Sequence, residues 1–210
     1  MQRYLDGLNW AQPWDAGAHT ATVAVFLHTE APRFLEVDRV RALQAVVNTF
    51  VAGLLDRESG AYFRGGRPQY DQRVNGAMKI LTALDWLDTA IHRPERLVDA
   101  CLSQLPDPQG CHLVDVVYVL YRCQQQVSYR QDAVRDYAAQ VLGMVQQHFN
   151  PADGGFSYHI GRSQTQYHAV PVARGLPISD LHGTILLTWA SVMLSELLDL
   201  PQPGWQVIKP

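Results

Sequence analysis

The clearest guide to the fold is the stretch NPADGGFSYHIGRSQTQYH, Asn150 to His168, because it repeats much of an upstream stretch, DRESGAYFRGGRPQYDQ, at positions 56–72. With Gly60 placed on Gly154, the aligned pairs are Leu55 and Phe149, Asp56 and Asn150, Ser59 and Asp153, and Tyr62 and Phe156. Both copies are rich in glycine and aromatic residues, and both lie between segments with helical periodicity. The sequence therefore predicts a repeated unit of outer helix, loop and inner helix.

The segments around these loops have the spacing of helices. Seven are predicted, at about 18–29, 36–56, 73–91, 94–105, 111–123, 129–149 and 180–198. The second and sixth are apolar on one face, as outer helices are, whereas the first, third, fifth and seventh have the character of inner helices, apolar on most sides. This alternation is expected when helical hairpins form a ring. We therefore predict an all-α, α/α toroid-like array of helical hairpins that forms a single domain over residues 1–210.

Three of the predicted inner helices open with similar motifs, PWDAGAH, RVNGAMK and DLHGTIL, and each motif places a glycine at the start of its helix. A looser version, PQGCHLVD, opens the remaining inner helix. In a ring of hairpins these helix starts gather at one end, where unsatisfied N–H groups and positive dipole ends face a funnel. The repeated loops would form the rim of that funnel, and we expect the functional site there.

Composition excludes several classes of protein. A chain of 210 residues with 47% hydrophobic composition can bury one good core, and a net charge of -3 without any run of Lys or Arg argues against nucleic-acid binding. The most apolar run, 183–195, is shorter than the roughly 20 residues that span a bilayer. The start of the chain carries Asp6 and no apolar run, so no signal peptide is expected. Three cysteines, an odd number, favour a reducing compartment, and we predict a cytoplasmic location.

Two motifs support a family resemblance. The sequence DGGF, Asp153 to Phe156, in a loop between an outer and an inner helix resembles the repeat of the α/α toroids, the superfamily of terpenoid cyclases and protein prenyltransferases. The segment HLVDVVYVLY, His112 to Tyr121, resembles the prenyltransferase β-subunit helix in which Leu-Val-Asp-x-Cys-Tyr carries two zinc ligands. Two later segments show a fainter resemblance to the same subunit: GRSQTQYH to its Gly-Lys-Ser segment and DLHGT to its His-Thr segment. In the family, the His-Thr segment carries the third zinc ligand.

The resemblance implies specific metal ligands, but this chain departs from them. Asp115 matches the aspartate ligand, Val117 stands where the family has cysteine, and His182 matches the histidine only with a shift of one residue. The Asp-x-Asp-Asp motif of the cyclases is absent from the sequence. Because zinc affinity depends on thiolate and imidazole ligands at fixed spacing, we assign no metal ligands and leave the cofactor open.

Seven helices are fewer than a closed toroid of this superfamily contains. The chain would then be an arc of a larger parent protein, the product of a late start codon, or a protomer that covers its open edge with a partner. An open arc leaves the apolar sides of the first and last inner helices exposed, which a soluble monomer rarely tolerates. We therefore expect a homodimer or a missing remainder of the toroid.

The candidate site residues are polar side chains in the long second loop or in the early turns of the inner helices. The candidates for catalysis are His182, Tyr167, His112 and Asp115, those for substrate binding are Asn75, Lys79, Arg162, Arg174 and Asp180, and the long loop adds Tyr158 and His168. That loop has about 30 residues between predicted helices, which is longer than compact domains usually contain without a function. Such side chains suit proton abstraction beside a neutralised carboxylate, as in uronate lyases, and also suit diphosphate capture.

Structural roles compete with these functional ones. Asp15 and Asp180 have the position of helix caps, His112 and Asp115 could satisfy each other in the core, and the loop glycines suit tight turns. Three functions stay open. The first is ligand binding or catalysis on a polar or anionic small molecule or a glycan at the funnel. The second is an isoprenoid enzyme relative, and the third is a non-catalytic interaction module.

Overall fold

The computed structural model describes residues 1–167, 169–201 and 204–210. Within them are eight α-helices, a short 3-10 helix and four strands of two residues each. The helices are α1 (Gln2–Asp6), α2 (Pro13–Thr29), α3 (Val37–Ala52), α4 (Tyr70–Trp86), α5 (Pro94–Leu102), α6 (Gly110–Gln126), α7 (Gln131–Gln146) and α8 (Leu181–Leu197). The 3-10 helix is Ala31–Arg33, and the strands are β1 (Phe149–Asn150), β2 (Gly155–Phe156), β3 (Gln166–Tyr167) and β4 (Val170–Pro171). The predicted helical class is confirmed, and all seven predicted helices are present as α2–α8.

The chain divides into two compact units. The first contains residues 1–101, 122–129 and 208–210, and the second contains residues 102–121 and 130–207. Each unit contains one copy of the repeated loop. The first unit holds the inner helices α2 and α4, and the second holds α8 and most of α6.

In the first unit, α2 and α4 run in the same direction and approach closely at two glycines. A Cβ added to Gly76 would lie 2.8 Å from the Cβ of Pro13, and one added to Gly17 would lie 2.9 Å from the Cβ of Lys79. Near the other end of the same helices, the ring centroids of His28 and Trp86 are 5.3 Å apart. The glycines of the PWDAGAH and RVNGAMK motifs therefore permit two helix backbones to pack against each other.

In the second unit, α6 and α8 meet at an aromatic pair and near their starts. The rings of Tyr118 on α6 and Trp189 on α8 lie 5.2 Å apart. At the starts of the two helices, Gly110 and Gly183 both contact Tyr158 of the long loop: an added Cβ would lie 3.0 Å from its ring at Gly110 and 2.4 Å from its backbone nitrogen at Gly183. The first-turn glycine of α8 therefore makes room for the loop.

The two loop copies form the same tight turn, which confirms the repeat. Leu55 pairs with Tyr62 in one copy, and Phe149 pairs with Phe156 in the other, both in antiparallel register. The aligned glycines Gly60 and Gly154 both have a φ of 75°, a left-handed conformation that glycine adopts without steric cost. Their N–H groups donate to the carbonyls of Asp56 and Asn150, at 2.8 Å in each copy.

Helix bounds and strands differ from the predictions in places. Helix α2 begins at Pro13 rather than Ala18, because proline is tolerated in the first turn of a helix. Helix α1 lies in a segment for which no helix was predicted. Helix α4 ends at Trp86 rather than Ile91, because Asp88 adopts a left-handed φ of 49°. The two short antiparallel ladders were not predicted, since each strand has only two residues.

The burial of α3, α4, α6 and α7 follows the inner and outer assignment, whereas α2 and α8, also predicted as inner helices, each keep an exposed side. Outer helices α3 and α7 bury one face each, whereas α4 is buried continuously from Val74 to Met78 and from Ile80 to Asp85, and α6 is buried from Leu113 to Tyr121. No helix within the described residues is long and apolar enough to cross a membrane. Cys101, Cys111 and Cys123 are free thiols.

Candidate functional site

A cavity of about 450 Å³ opens beside the first turn of α8 in the second unit. Its described lining residues are Gln164, Tyr167, Val172, Ala173, Asp180, Leu181, His182 and Ile185. Three predicted site residues, Tyr167, Asp180 and His182, are thus brought together. A mostly apolar cavity with a few convergent polar groups is the usual composition of a small-molecule site.

His182 is the best-oriented polar group in this cavity. Its Nδ1 atom lies 2.8 Å from Oε1 of Gln164, and in the tautomer with the proton on Nδ1 this N–H group donates to that oxygen. The imidazole stacks on Tyr158 with a centroid distance of 5.0 Å and meets Tyr167 edge-on at 5.1 Å. The position and plane of the ring are therefore fixed by these three contacts.

Asp180 organises the wall of the cavity through backbone hydrogen bonds. Its Oδ1 atom accepts from the N–H of Gly183 at 2.7 Å, which makes Asp180 the N-cap of α8. Its Oδ2 atom accepts from the N–H groups of Tyr158 at 2.8 Å and Gln164 at 2.9 Å. One carboxylate thus joins the start of α8 to the two loop residues that position His182. Its predicted role in substrate binding stays a prediction.

A short hairpin forms another part of the wall. Strands β3 and β4 pair antiparallel with Tyr167 opposite Val170, and the N–H of Val172 donates to the carbonyl of Thr165 at 2.9 Å. Tyr167 and Val172 both line the cavity from this hairpin. The hairpin therefore explains how a loop without helical or strand periodicity brings Tyr167 next to His182.

Tyr158 forms a neutral platform beneath His182. It is 8% exposed, and burial, together with the neighbouring Cys111 and Asp115, raises its pKa well above the usual range. Its phenol therefore stays protonated near neutral pH. Asp115, a predicted catalytic residue on α6, is itself 1% exposed and is not among the described residues that line the cavity.

The other predicted residues of the second unit are not among the described residues that line the cavity. His112 is half-buried in the first turn of α6. Arg162 and Arg174 are exposed on the long loop. Burial and the charge of Arg162 lower the pKa of His159, which favours its neutral form. His168 lies outside the described residues.

Asn75 and Lys79 lie in the first unit, on α4. Asn75 is 1% exposed, and Lys79 is half-buried where α4 passes Gly17 of α2. Lys79 lines a different cavity, a groove along α2 and α4. The structure therefore divides the predicted binding residues between the two units.

Sequence reasoning missed several residues of the cavity. Gln164 had no role assigned, although it contacts Nδ1 of His182, and the apolar residues Val172, Leu181 and Ile185 were not singled out. Tyr158 was noted as a loop residue without its place beneath His182. The only signal for these residues in the sequence is their location in the long loop or at the start of α8.

The described residues do not fit the zinc site that the resemblance implies. Among them, no group of three or more His, Cys, Asp or Glu side chains could hold a metal ion. Val117, at the position of the family's cysteine, is a buried core residue of α6.

Comparison of the chain with family models, with curated proteins and with solved structures finds no match. The resemblance to the α/α toroids thus rests on the repeated loops and their flanking helices, and it stays a prediction.

Proposed function

We propose that this chain is a ligand-binding or catalytic α/α toroid-like protein that takes a small molecule in the cavity at the start of α8. The observation that carries the proposal is the orientation of His182, whose Nδ1 is hydrogen-bonded to Gln164 at 2.8 Å while the ring stacks on Tyr158. Preorganised polar groups in an otherwise apolar cavity bind and orient ligands without further ordering.

His182 would receive a hydrogen bond from the ligand. With the proton on Nδ1, the Nε2 lone pair can accept from an O–H or N–H group, and it can remove a proton if the group is acidic enough. A cation formed at His182 would be stabilised by the carbonyl of Gln164 and by the face of Tyr158. These interactions are those of a general base, and they serve equally to orient a ligand that does not react.

The lining of the cavity suggests a ligand with an apolar body and one polar group. Val172, Leu181 and Ile185 supply apolar surface, and none of the described lining residues is lysine or arginine. Arg162 and Arg174 lie exposed on the same loop and would meet an anionic part of the ligand outside the cavity. A polar or anionic small molecule or a short glycan with one apolar face fits this distribution.

The apolar lining also favours the second candidate, an isoprenoid enzyme relative. Leu181 and Ile185 could contact an isoprenoid chain that extends from His182 across the mouth of the cavity. The missing cysteine ligand at Val117 means that such a protein would not use the zinc chemistry of the prenyltransferases.

A thermal-shift screen tests the proposal. Purified chain is heated with uronate oligosaccharides, neutral glycans, isoprenoid alcohols and isoprenoid diphosphates, and a ligand at 100 times its Kd adds about 2.7 kcal/mol. A hit is then titrated against two variants. His182→Ala should weaken binding about tenfold, whereas His182→Gln should retain part of the affinity and lose any proton transfer.

Three results would count against this proposal. A hit that binds equally well to His182→Ala would place the ligand elsewhere. A large loss of thermal stability in both variants without ligand would mark His182 as a structural residue. No shift with any ligand class, from a well-folded sample, would favour the non-catalytic interaction module.

A further inference from the structure

A groove of about 530 Å³ runs between α2 and α4 in the first unit. Its walls are mainly apolar, with Ala21, Val25 and Phe26 from α2 and Met78 from α4. Phe26 is 52% exposed, so this wall is open to a ligand from solvent. The groove is separate from the cavity beside His182, which lies in the second unit.

One end of the groove carries a positive charge. Lys79 lines it next to Gly17, where an added Cβ would lie only 2.9 Å from the Cβ of Lys79. The lysine stem is therefore held between the two helices. Of the described residues that line the groove, Lys79 alone is cationic at neutral pH.

The opposite end of the groove carries a carboxylate. Glu30 lines it just after the last residue of α2 and pairs with Arg33 at 3.1 Å. From Ala18, beside Gly17, to Glu30 the groove follows α2 for about 18 Å at the rise of an α-helix. The groove thus has mainly apolar walls, with Lys79 at one end and the Glu30–Arg33 ion pair at the other.

We propose that this groove binds a long-chain carboxylate, with its head group at Lys79 and its hydrocarbon chain along α2 toward Glu30. The ammonium group of Lys79 can donate charge-assisted hydrogen bonds to the carboxylate. The walls formed by Ala21, Val25, Phe26 and Met78 remove the chain from water.

Isothermal titration of the full chain with octanoate, decanoate and dodecanoate tests the apolar part of the proposal. Each methylene that the groove buries should tighten binding about fourfold. Dodecylamine, with the opposite charge on the same chain, should bind much more weakly than dodecanoate. Absence of saturable dodecanoate binding, or equal binding of the amine, would overturn the proposal.

Substitutions of Lys79 test the polar part. Lys79→Met keeps the straight stem that packs beside Gly17 and removes the charge, so dodecanoate affinity should fall about tenfold or more. Lys79→Arg should retain most of the affinity. Arg41→Met, which removes an exposed cation from α3 outside the described lining of the groove, is the matched control and should bind as the wild type does.

Two further variants locate the ligand. Val25→Trp should fill the groove and abolish binding while Lys79 stays in place. His182→Ala should bind dodecanoate as the wild type does, because that cavity lies in the second unit. Binding that survives both Lys79→Met and Val25→Trp would overturn the proposal, as would binding lost only in His182→Ala. Dodecanoate also has the apolar body and single polar group of the ligand proposed for the cavity at α8. Both groove variants are therefore titrated in the His182→Ala background as well, where binding in that cavity is weakened and the groove is unchanged.

Discussion

At the scale of single residues, Asp180 is a predicted substrate-binding residue that also has a structural role. Its position before α8 is typical of both an N-cap and a site residue. In the structure its two oxygens accept three backbone hydrogen bonds, from Gly183, Tyr158 and Gln164. The same carboxylate therefore caps the helix and positions the groups around His182.

Substitution of Asp180 should separate these two roles. Asp180→Ala removes all three hydrogen bonds and should lower the free energy of unfolding by about 2 to 3 kcal/mol. Asp180→Ser can still cap α8 but loses the bonds to Tyr158 and Gln164, so we expect about half that loss. Urea unfolding measures both free energies. If Asp180→Ser is as stable as the wild type, the hydrogen bonds to Tyr158 and Gln164 contribute little to stability.

At the scale of secondary-structure elements, the first-turn glycines explain the repeated motifs at the helix starts. Gly17 and Gly76 let α2 and α4 approach each other, whereas Gly183 lets α8 approach the backbone of Ser157 and Tyr158. The motif is the same, but its contacts differ between the units. In each case the absence of a side chain permits a backbone contact that any larger residue would prevent.

Alanine substitutions on two helices test this explanation. Gly183→Ala would place a Cβ 2.4 Å from the backbone nitrogen of Tyr158, and we expect a loss of about 3 kcal/mol or more. Gly143→Ala on α7 is the matched control, since its added Cβ meets nothing within 4 Å. That variant should be more stable by about 0.5 to 1 kcal/mol, because alanine favours the helix. Chemical unfolding of both should give opposite signs, and a neutral Gly183→Ala would contradict the explanation.

At the scale of the whole molecule, two of the four predicted inner helices, α2 and α8, expose apolar side chains, whereas α4 and α6 are buried over most of their length. Leu181 and Ile185 of α8 are 78% and 59% exposed, and Phe26 of α2 is 52% exposed. Exposed apolar side chains are thus present on the first and last inner helices, where the open-arc interpretation expects them. Association with a second copy would cover such surface.

We expect a homodimer that buries the exposed end of α8. Light scattering of the wild type should give twice the chain mass of 23.6 kDa, and Leu181→Ser combined with Ile185→Ser should shift the protein to monomer. Phe26→Ser is the matched control and should remain dimeric. If the wild type is a monomer at micromolar concentration, the prediction is wrong. If Phe26→Ser is monomeric, the interface includes α2 instead.

The sequence by itself determined the helical class, the one-sided burial of α3 and α7 and the shared turn of the two loops, because periodicity and turn chemistry act between near neighbours. It also identified Tyr167, Asp180 and His182 as candidates from residue type and position. Only the tertiary structure decided that Gln164 and Tyr158 hold His182, and that Lys79 lines a separate groove. The contacts of His182 depend on the path of a long loop that has no periodicity, and the groove at Lys79 depends on how closely α2 and α4 approach at their glycines. Both features follow from packing between residues that are distant in the chain.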